Sequence, residues 1–536
     1  MSHGWLLAIL VLLSASACAE RGADAAPDSV TYDLVLIGGR VMDPETGRDE
    51  IANLGIRDGR IAVITGQPIA GTDAIDARGM VVAPGFIDTH NHWPRPMGYK
   101  LMLRDGVTTS MDLEAGVFGP RVGDWYDMHA GRSQVNYGTG SGHEFARNHV
   151  LSGTDPSLLL DAPASIMQRG VNDNWALEVP TLEQGSAVLR LVDEGLRQGA
   201  LAISSTLGYM PGATAREVME LQRVGARYGR PTTFHLRNTP GNATEEINGA
   251  QEILANALAL NAPVVINHIN NPGWRLVQEL LVGFRARGVN AWGEIYPYAA
   301  GSTTINAVFL KPEVWVEEMG RPYETTMQDP FTGEFYTLET YRKTVAEAPS
   351  TVVVLYKMPA ENIPHWCALP GIVYAGDGMP APGGWDAVPW ESAYETLPNT
   401  HPRLAGTRGR CLRMAREHDI PLMQVIASAS YNIASYLSRT GLASMQVRGR
   451  LQEGMIADIT VFDPDTVTDN ATYERGTLPS SGIPFVIVNG RVVVRDSRVL
   501  PDVYPGQPIR FPVEDAPRFE PLDTAVWAAD VVAPDA

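Results

Sequence analysis

Val81-Val82-Ala83-Pro84-Gly85-Phe86-Ile87-Asp88-Thr89-His90-Asn91-His92 is an apolar run that ends in two histidines one residue apart. In a strand, alternate side chains share a face, so both imidazoles project the same way from its end. Two neutral imidazoles on one surface begin a divalent-metal site. A polar strand end with incidental histidines fits these residues equally well, and the rest of the chain decides between the two.

Downstream, helical periodicity alternates with short apolar runs. Residues 187–198 are helical and lead to the run 200–204; 216–228 lead to 232–235, 250–260 to 263–268, and 276–287 to 289–296. Strand after helix at this spacing predicts βα units and a parallel sheet. Eight such units close into a (β/α)8 TIM barrel whose chemistry sits at the carboxyl ends of the strands.

The flanks read differently. Strands are expected at 32–37, 51–57 and 61–64, with a turn at Gly38-Gly39 and a hairpin turn at Asp58-Gly59. Near the other end, 457–462 and 485–494 are strands, the second broken at Asn489-Gly490. The expected organisation is β structure over 30–82 and 441–512, and a barrel over 83–440 with an insertion near 311–343. A tail over 513–536, rich in Pro, Asp and Ala, packs loosely or wraps the surface.

The formal charge of −19 over 536 residues argues against a nucleic-acid partner, which requires a basic footprint. No run beyond the N-terminus suits a membrane span. Residues 1–19 read as a signal peptide: Trp5 to Leu13 is apolar, and small residues follow from Ser14 to Ala19. Cleavage after Ala19, or before Cys18 to leave a lipid anchor, predicts an exported protein, periplasmic or secreted. Cys367 and Cys411 are then too few for a disulfide framework.

Further strand ends carry chemistry. Thr232-Thr233-Phe234-His235 and Val264-Val265-Ile266-Asn267-His268 each end in a histidine. Joined to His90 and His92, these make four imidazoles converging on one barrel mouth, a set that suits one or two zinc-like ions better than calcium or magnesium. Tyr374-Ala375-Gly376-Asp377-Gly378 ends a late strand with an acid, which as an Asp-Gly turn has no chemical role. In a metal hydrolase it is the best-placed group to move a proton from water to a leaving nitrogen.

With these residues the chain resembles the amidohydrolase superfamily, most closely its N-acyl-D-amino-acid deacylase (D-aminoacylase) branch. The resemblance runs from about Tyr32 to Val494. It rests on Pro84 to His92, Asp105-Gly106-Val107-Thr108-Thr109, Tyr209-Met210-Pro211-Gly212, His235-Leu236-Arg237, Tyr296-Pro297-Tyr298, His401-Pro402-Arg403 and Ala457-Asp458, in that order. It implies a metal-dependent barrel with a β-sandwich built from both chain ends. It also implies hydrolysis of an N-acyl amino acid by metal-activated hydroxide, with Asp377 as general acid/base. Dipeptides, cyclic amides and lactones are alternative substrates. An exported binding or scaffolding protein that has lost catalysis is the competing class, which the retained ligand set opposes.

Carried over residue by residue, His90 and His92 hold one zinc and His235 and His268 another. Arg403 binds the carboxylate of a small-molecule substrate, and Tyr209, Arg237, Tyr296 and Ser302 surround it. The sequence departs from the family twice. Ser110 to Gly116 lacks the cysteine ligand usual there, and Lys100, the only lysine between His92 and His268, is not at a strand end. On that strand Met111 and Leu113 alternate with Asp112 and Glu114, so if the apolar pair meets the helices both acids enter the barrel. Glu114 lies nearer the mouth and is the expected bridging ligand. The second departure is Asn270, where relatives often carry a lysine that helps hold the substrate carboxylate. Glu294 stands where the family prefers aspartate.

Overall fold

The computed structural model describes residues 31–160, 173–237, 249–379, 381 and 384–529. The leader over 1–19 and Cys18 lie outside them. Eight parallel strands form the barrel: Phe86–Asp88, Val107–Val117, Asn136–Gly142, Ile203–Ser205, Thr232–Phe234, Val264–Ile266, Ala291–Ile295 and Val373–Tyr374, each hydrogen-bonded to the next. Closure between the last and the first runs beyond the strands. Asn91 pairs with Gly378, and the Asp88 carboxylate accepts from Gly376 N at 3.0 Å. Arg408 donates to that carboxylate at 2.6 Å, so the seam rests on a fully buried ion pair.

The helices that cover the barrel are amphipathic as read. Leu182–Arg197 starts with a capping box at Thr181 and buries Val188, Leu189, Val192 and Leu196. Ala215–Tyr228 is capped by Thr214 and ends at Gly229 in the left-handed region, φ 65°. No described helix is long and apolar enough to cross a membrane.

Both chain ends build one nine-stranded sheet of the β-sandwich. Ile459–Phe462 lies antiparallel to Val81–Pro84, which joins the late segment to the strand that feeds the first barrel strand. Leu36, Leu54, Ile56, Val82, Ile459 and Ile487 share its core. The Asp58-Gly59 and Asn489-Gly490 turns form with both residues at positive φ, as the primed hairpin turns require. Gly38-Gly39 is not a turn. The strand runs unbroken over Thr31–Asp43 and absorbs the pair as a bulge, because a side chain at Gly39 would meet Val82 at 2.5 Å.

Between the seventh and eighth barrel strands the chain makes an excursion that contains the stretch 311–343. Its frame is a three-stranded antiparallel sheet of Ala300–Thr304, Met327–Gln328 and Val352–Tyr356. The tail wraps the barrel: Glu514 N bonds Arg197 O, and Trp527 packs against Gly185.

Candidate metal centre

His90 and His92 leave the first barrel strand on one face, as alternation requires, with Nε2 atoms 3.0 Å apart. Each has its other ring nitrogen on a carboxylate: His90 Nδ1 on Glu294 at 2.5 Å, His92 Nδ1 on Asp112 at 3.0 Å. Such partners fix the tautomer and aim Nε2 at a common point. Asn267 and Thr89 also donate to Glu294, at 2.8 and 2.7 Å. Glu294 is thus a positioning residue that the sequence singled out only as a family variant. Its signal, an acid on an otherwise apolar strand, was visible.

Across the mouth, His235 Nδ1 and His268 Nε2 lie 3.0 Å apart. Glu114 stands between the two pairs. One carboxylate oxygen is 2.8 Å from His90 and 3.0 Å from His92; the other is 2.8 Å from His235 and 3.0 Å from His268. Asp377 completes the first set, 3.3 Å from His90 Nε2 and 3.5 Å from His92 Nε2. Donor atoms of His90, His92, Glu114 and Asp377 fall within 4.8 Å of one another, and so do those of Glu114, His235 and His268. These two sets, sharing one carboxylate, can hold one or two divalent ions.

Alternation along the strand predicts Glu114 at the mouth, and its carboxylate lies in both donor sets there. Met111 and Leu113 share one apolar cluster with Ile87, Val265, Trp292 and Val373 of other barrel strands and with Ile433 and Leu437 of the helix Asn432–Ser438. The strand is irregular here. The Asp112 carboxylate accepts from the backbone N–H of Glu114, Ala115 and Gly116, and Gly116 takes φ 70°. That curl carries Glu114 into the mouth beside its apolar neighbours. Lys100 is far from the centre, bonded to the carbonyls of Trp390 and Ser392.

The charges fit a cation. Burial alone would depress His90, but Glu114, Asp377 and Glu294 outweigh it and hold the imidazole well above its ordinary pKa. His92 is raised in the same way, against its own burial, by Asp112, Asp377 and Glu114. Glu114 stays ionised despite full burial because of His90 and His235. Carboxylates that draw protons onto facing imidazoles are a donor set that a divalent ion can neutralise instead. His235, by contrast, is pushed down to about 4 by burial and by His268, so it is a neutral ligand in waiting. His268 at φ 28° and Asp377 at φ 48° sit in left-handed backbone, strain of the kind concentrated at functional sites.

Asp377 faces the histidines with one oxygen and Arg403 Nη1 with the other, at 2.8 Å. Burial opposes ionisation, yet Arg403 and His90 hold this carboxyl well below the usual range. Arg403 Nη2 donates to Ser302 O at 3.2 Å, and its guanidinium lies 4.8 Å from the Tyr296 ring centre.

A cavity opens above the centre, lined by all the expected substrate residues, Tyr209, Arg237, Tyr296, Ser302 and Arg403, and by Phe309, Trp315, Arg321, Leu355 and Lys357 from the excursion. Tyr209 lies against His235 with ring centres 4.7 Å apart and its hydroxyl 2.8 Å from Thr303 Oγ1. Arg237 reaches the cavity but its guanidinium is engaged by Glu252. Asn270 does not line it: its amide donates to Tyr296 O and Tyr298 O. Lys357 was not singled out for this site, because nothing in its local sequence ties it to the barrel mouth.

No protein-family model matches the chain. It is 30% identical over 519 residues to an N-acyl-D-glutamate deacylase of Alcaligenes xylosoxydans xylosoxydans, covering 91% of this chain and 99% of that one. It is 28% identical over 517 residues to a D-aminoacylase of the same organism, covering 87% and 95%. Among solved structures it superposes on the N-acyl-D-glutamate deacylase of Bordetella bronchiseptica, complexed with zinc and a phosphonate inhibitor. The TM-score is 0.69 at 26% identity, covering 90% and 100% of the two chains. Through that relationship over nearly its whole length, and with this ligand set at its barrel mouth, the chain belongs to the N-acyl-D-amino-acid deacylase (D-aminoacylase) family of metal-dependent amidohydrolases.

Proposed function

We propose that the protein hydrolyses the amide bond of N-acyl-D-amino acids with zinc at the centre, held by His90, His92, Glu114, His235 and His268. The observation that carries this reading is Glu114, which offers one carboxylate oxygen to each histidine pair. A zinc ion bound there supplies a Lewis acid that lowers the pKa of water.

Asp377 has an oxygen turned to the His90–His92 side and is ionised, so it can accept a proton from the attacking water. As water adds to the carbonyl carbon and the C–N bond breaks, the same carboxyl passes that proton to the departing nitrogen. Arg403, paired to its other oxygen, favours the ionised form and so favours rapid return of the proton. Tyr209 and Tyr296 flank the cavity where the substrate lies, and the apolar wall of Phe309, Trp315 and Leu355 suits its less polar end. The apolar leader at Trp5 to Leu13 supports export, which cell fractionation and N-terminal sequencing of the mature protein test.

The deciding experiment is a screen of zinc-loaded enzyme against N-acyl-D-amino acids, N-acyl-L-amino acids and dipeptides. Release of the free D-amino acid is expected; no turnover of any N-acyl-amino acid sinks the proposal. Less than about half an equivalent of zinc in carefully purified protein favours the binding-protein reading, because a catalytic centre needs its ion.

A further inference from the structure

Four cations border the cavity, and two of them already have ionic partners. Arg237 is bound by Glu252, and Arg403 divides its terminal nitrogens between Asp377 and Ser302 O. Arg321 lies against Trp315, 4.9 Å from its ring. Lys357 is placed over Tyr296 instead. It follows directly on the strand Val352–Tyr356, its ammonium faces the Tyr296 ring at 5.6 Å, and no hydrogen bond or ion pair reaches it among the described residues. Its position is set by close packing: a side chain at Gly301 would come within 3.3 Å of the ammonium and 3.0 Å of Tyr296 Oη. The next residue along, Ser302, has a buried hydroxyl that also lacks a partner. Lys357 is half-buried, and a buried hydroxyl without a partner beside an ammonium is a pair that an anion entering the cavity would complete.

Resting on the deacylase reading, we propose that Lys357 binds the free carboxylate of the substrate, with Ser302 Oγ and Tyr296 Oη as its neighbours. It thereby takes over the task of the lysine that Asn270 replaces. Asn270 cannot do this itself, since its amide is held by Tyr296 O and Tyr298 O outside the cavity. Lys357 stands at the end of a strand of the sheet whose residues line the cavity. It approaches the same Tyr296 ring that Arg403 contacts.

The test compares Lys357→Met and Lys357→Arg with wild type, on the N-acetyl-D-amino acid that wild type cleaves fastest and on its carboxamide. Lys357→Met is expected to raise KM for the acid by about 10- to 100-fold, the worth of a charged hydrogen bond, with kcat changed far less. The carboxamide kinetics stay as they were, and Lys357→Arg recovers most of the loss. Calorimetric binding of the acid to metal-free protein should weaken by a similar factor. An equal loss on acid and carboxamide, or an unchanged KM in a variant that melts like wild type, overturns the proposal while leaving the deacylase reading intact. A wild-type protein that neither binds nor cleaves N-acetyl amino acids overturns both.

Discussion

Replacing Glu294 by glutamine isolates the carboxylate that aims His90. Three donors converge on it: His90 Nδ1 at 2.5 Å, Asn267 Nδ2 at 2.8 Å and Thr89 Oγ1 at 2.7 Å. Glutamine keeps the volume but removes the charge, so His90 Nδ1 loses its charged acceptor even where the new amide donates to the Thr89 hydroxyl. Losing a hydrogen bond to a buried charged group costs about 1.5–3 kcal/mol. At about 1.4 kcal/mol per tenfold this corresponds to roughly 10- to 100-fold weaker metal binding, the effect expected when the partner of a ligating histidine is lost. Glu294 touches His90 alone among the four histidines, so the loss falls on one pair. Zinc competition with a chromophoric chelator measures it. The shift should persist when Glu294→Gln is combined with His235→Ala, which weakens the other pair, and vanish when it is combined with His92→Ala. Glu114→Gln should weaken both pairs. Superposable zinc curves for Glu294→Gln and wild type, with the fold intact by circular dichroism, would refute the positioning role.

Asp377→Asn should lower kcat by about 10²-fold or more at normal zinc content, since proton transfer is lost; zinc loss instead makes Asp377 a structural ligand. Burial first, and then Arg403 and Arg321 against the opposing Asp377 and Glu114, push Lys357 down to about 7. A carboxylate substrate binds its charged form, so kcat/KM for the acid should hold below about pH 7 and fall as pH rises through it. Lys357→Arg, whose guanidinium stays charged, should keep activity to higher pH, and a wild-type profile flat across that range counts against the assignment. Arg408→Met leaves the Asp88 carboxylate buried and unpaired at the barrel seam, which should cost about 3–5 kcal/mol in urea unfolding; a loss under about 1 kcal/mol would show that the Gly376 and His90 amides suffice. Cys367 and Cys411 are buried with sulfurs 3.6 Å apart, and burial pushes the Cys411 thiol up. Both should resist alkylation in native protein and react only on unfolding; fast native labelling contradicts that packing.

The barrel, its helices and the four histidines were legible in the chain because each is a local statement. Period-2 and period-3.6 patterns fix which side chains share a face, and a histidine that ends an apolar run marks the strand end where barrel chemistry gathers. Asp58-Gly59 and Asn489-Gly490 announced their turns for the same reason: the required backbone is written in the residue types. Gly38-Gly39 misled because a turn and a bulge ask for the same residue, and only the pairing with Arg48–Arg57 selects between them. At Asp112 the side chain curls its own strand by accepting from Ala115 N, a departure from plain alternation that no residue type announces. Glu294 behind His90, the pairing of Arg403 with Asp377 and the ammonium of Lys357 over Tyr296 belong to tertiary structure alone. Each joins residues far apart in the chain, and no local period constrains which distant partners close packing and charge bring into contact.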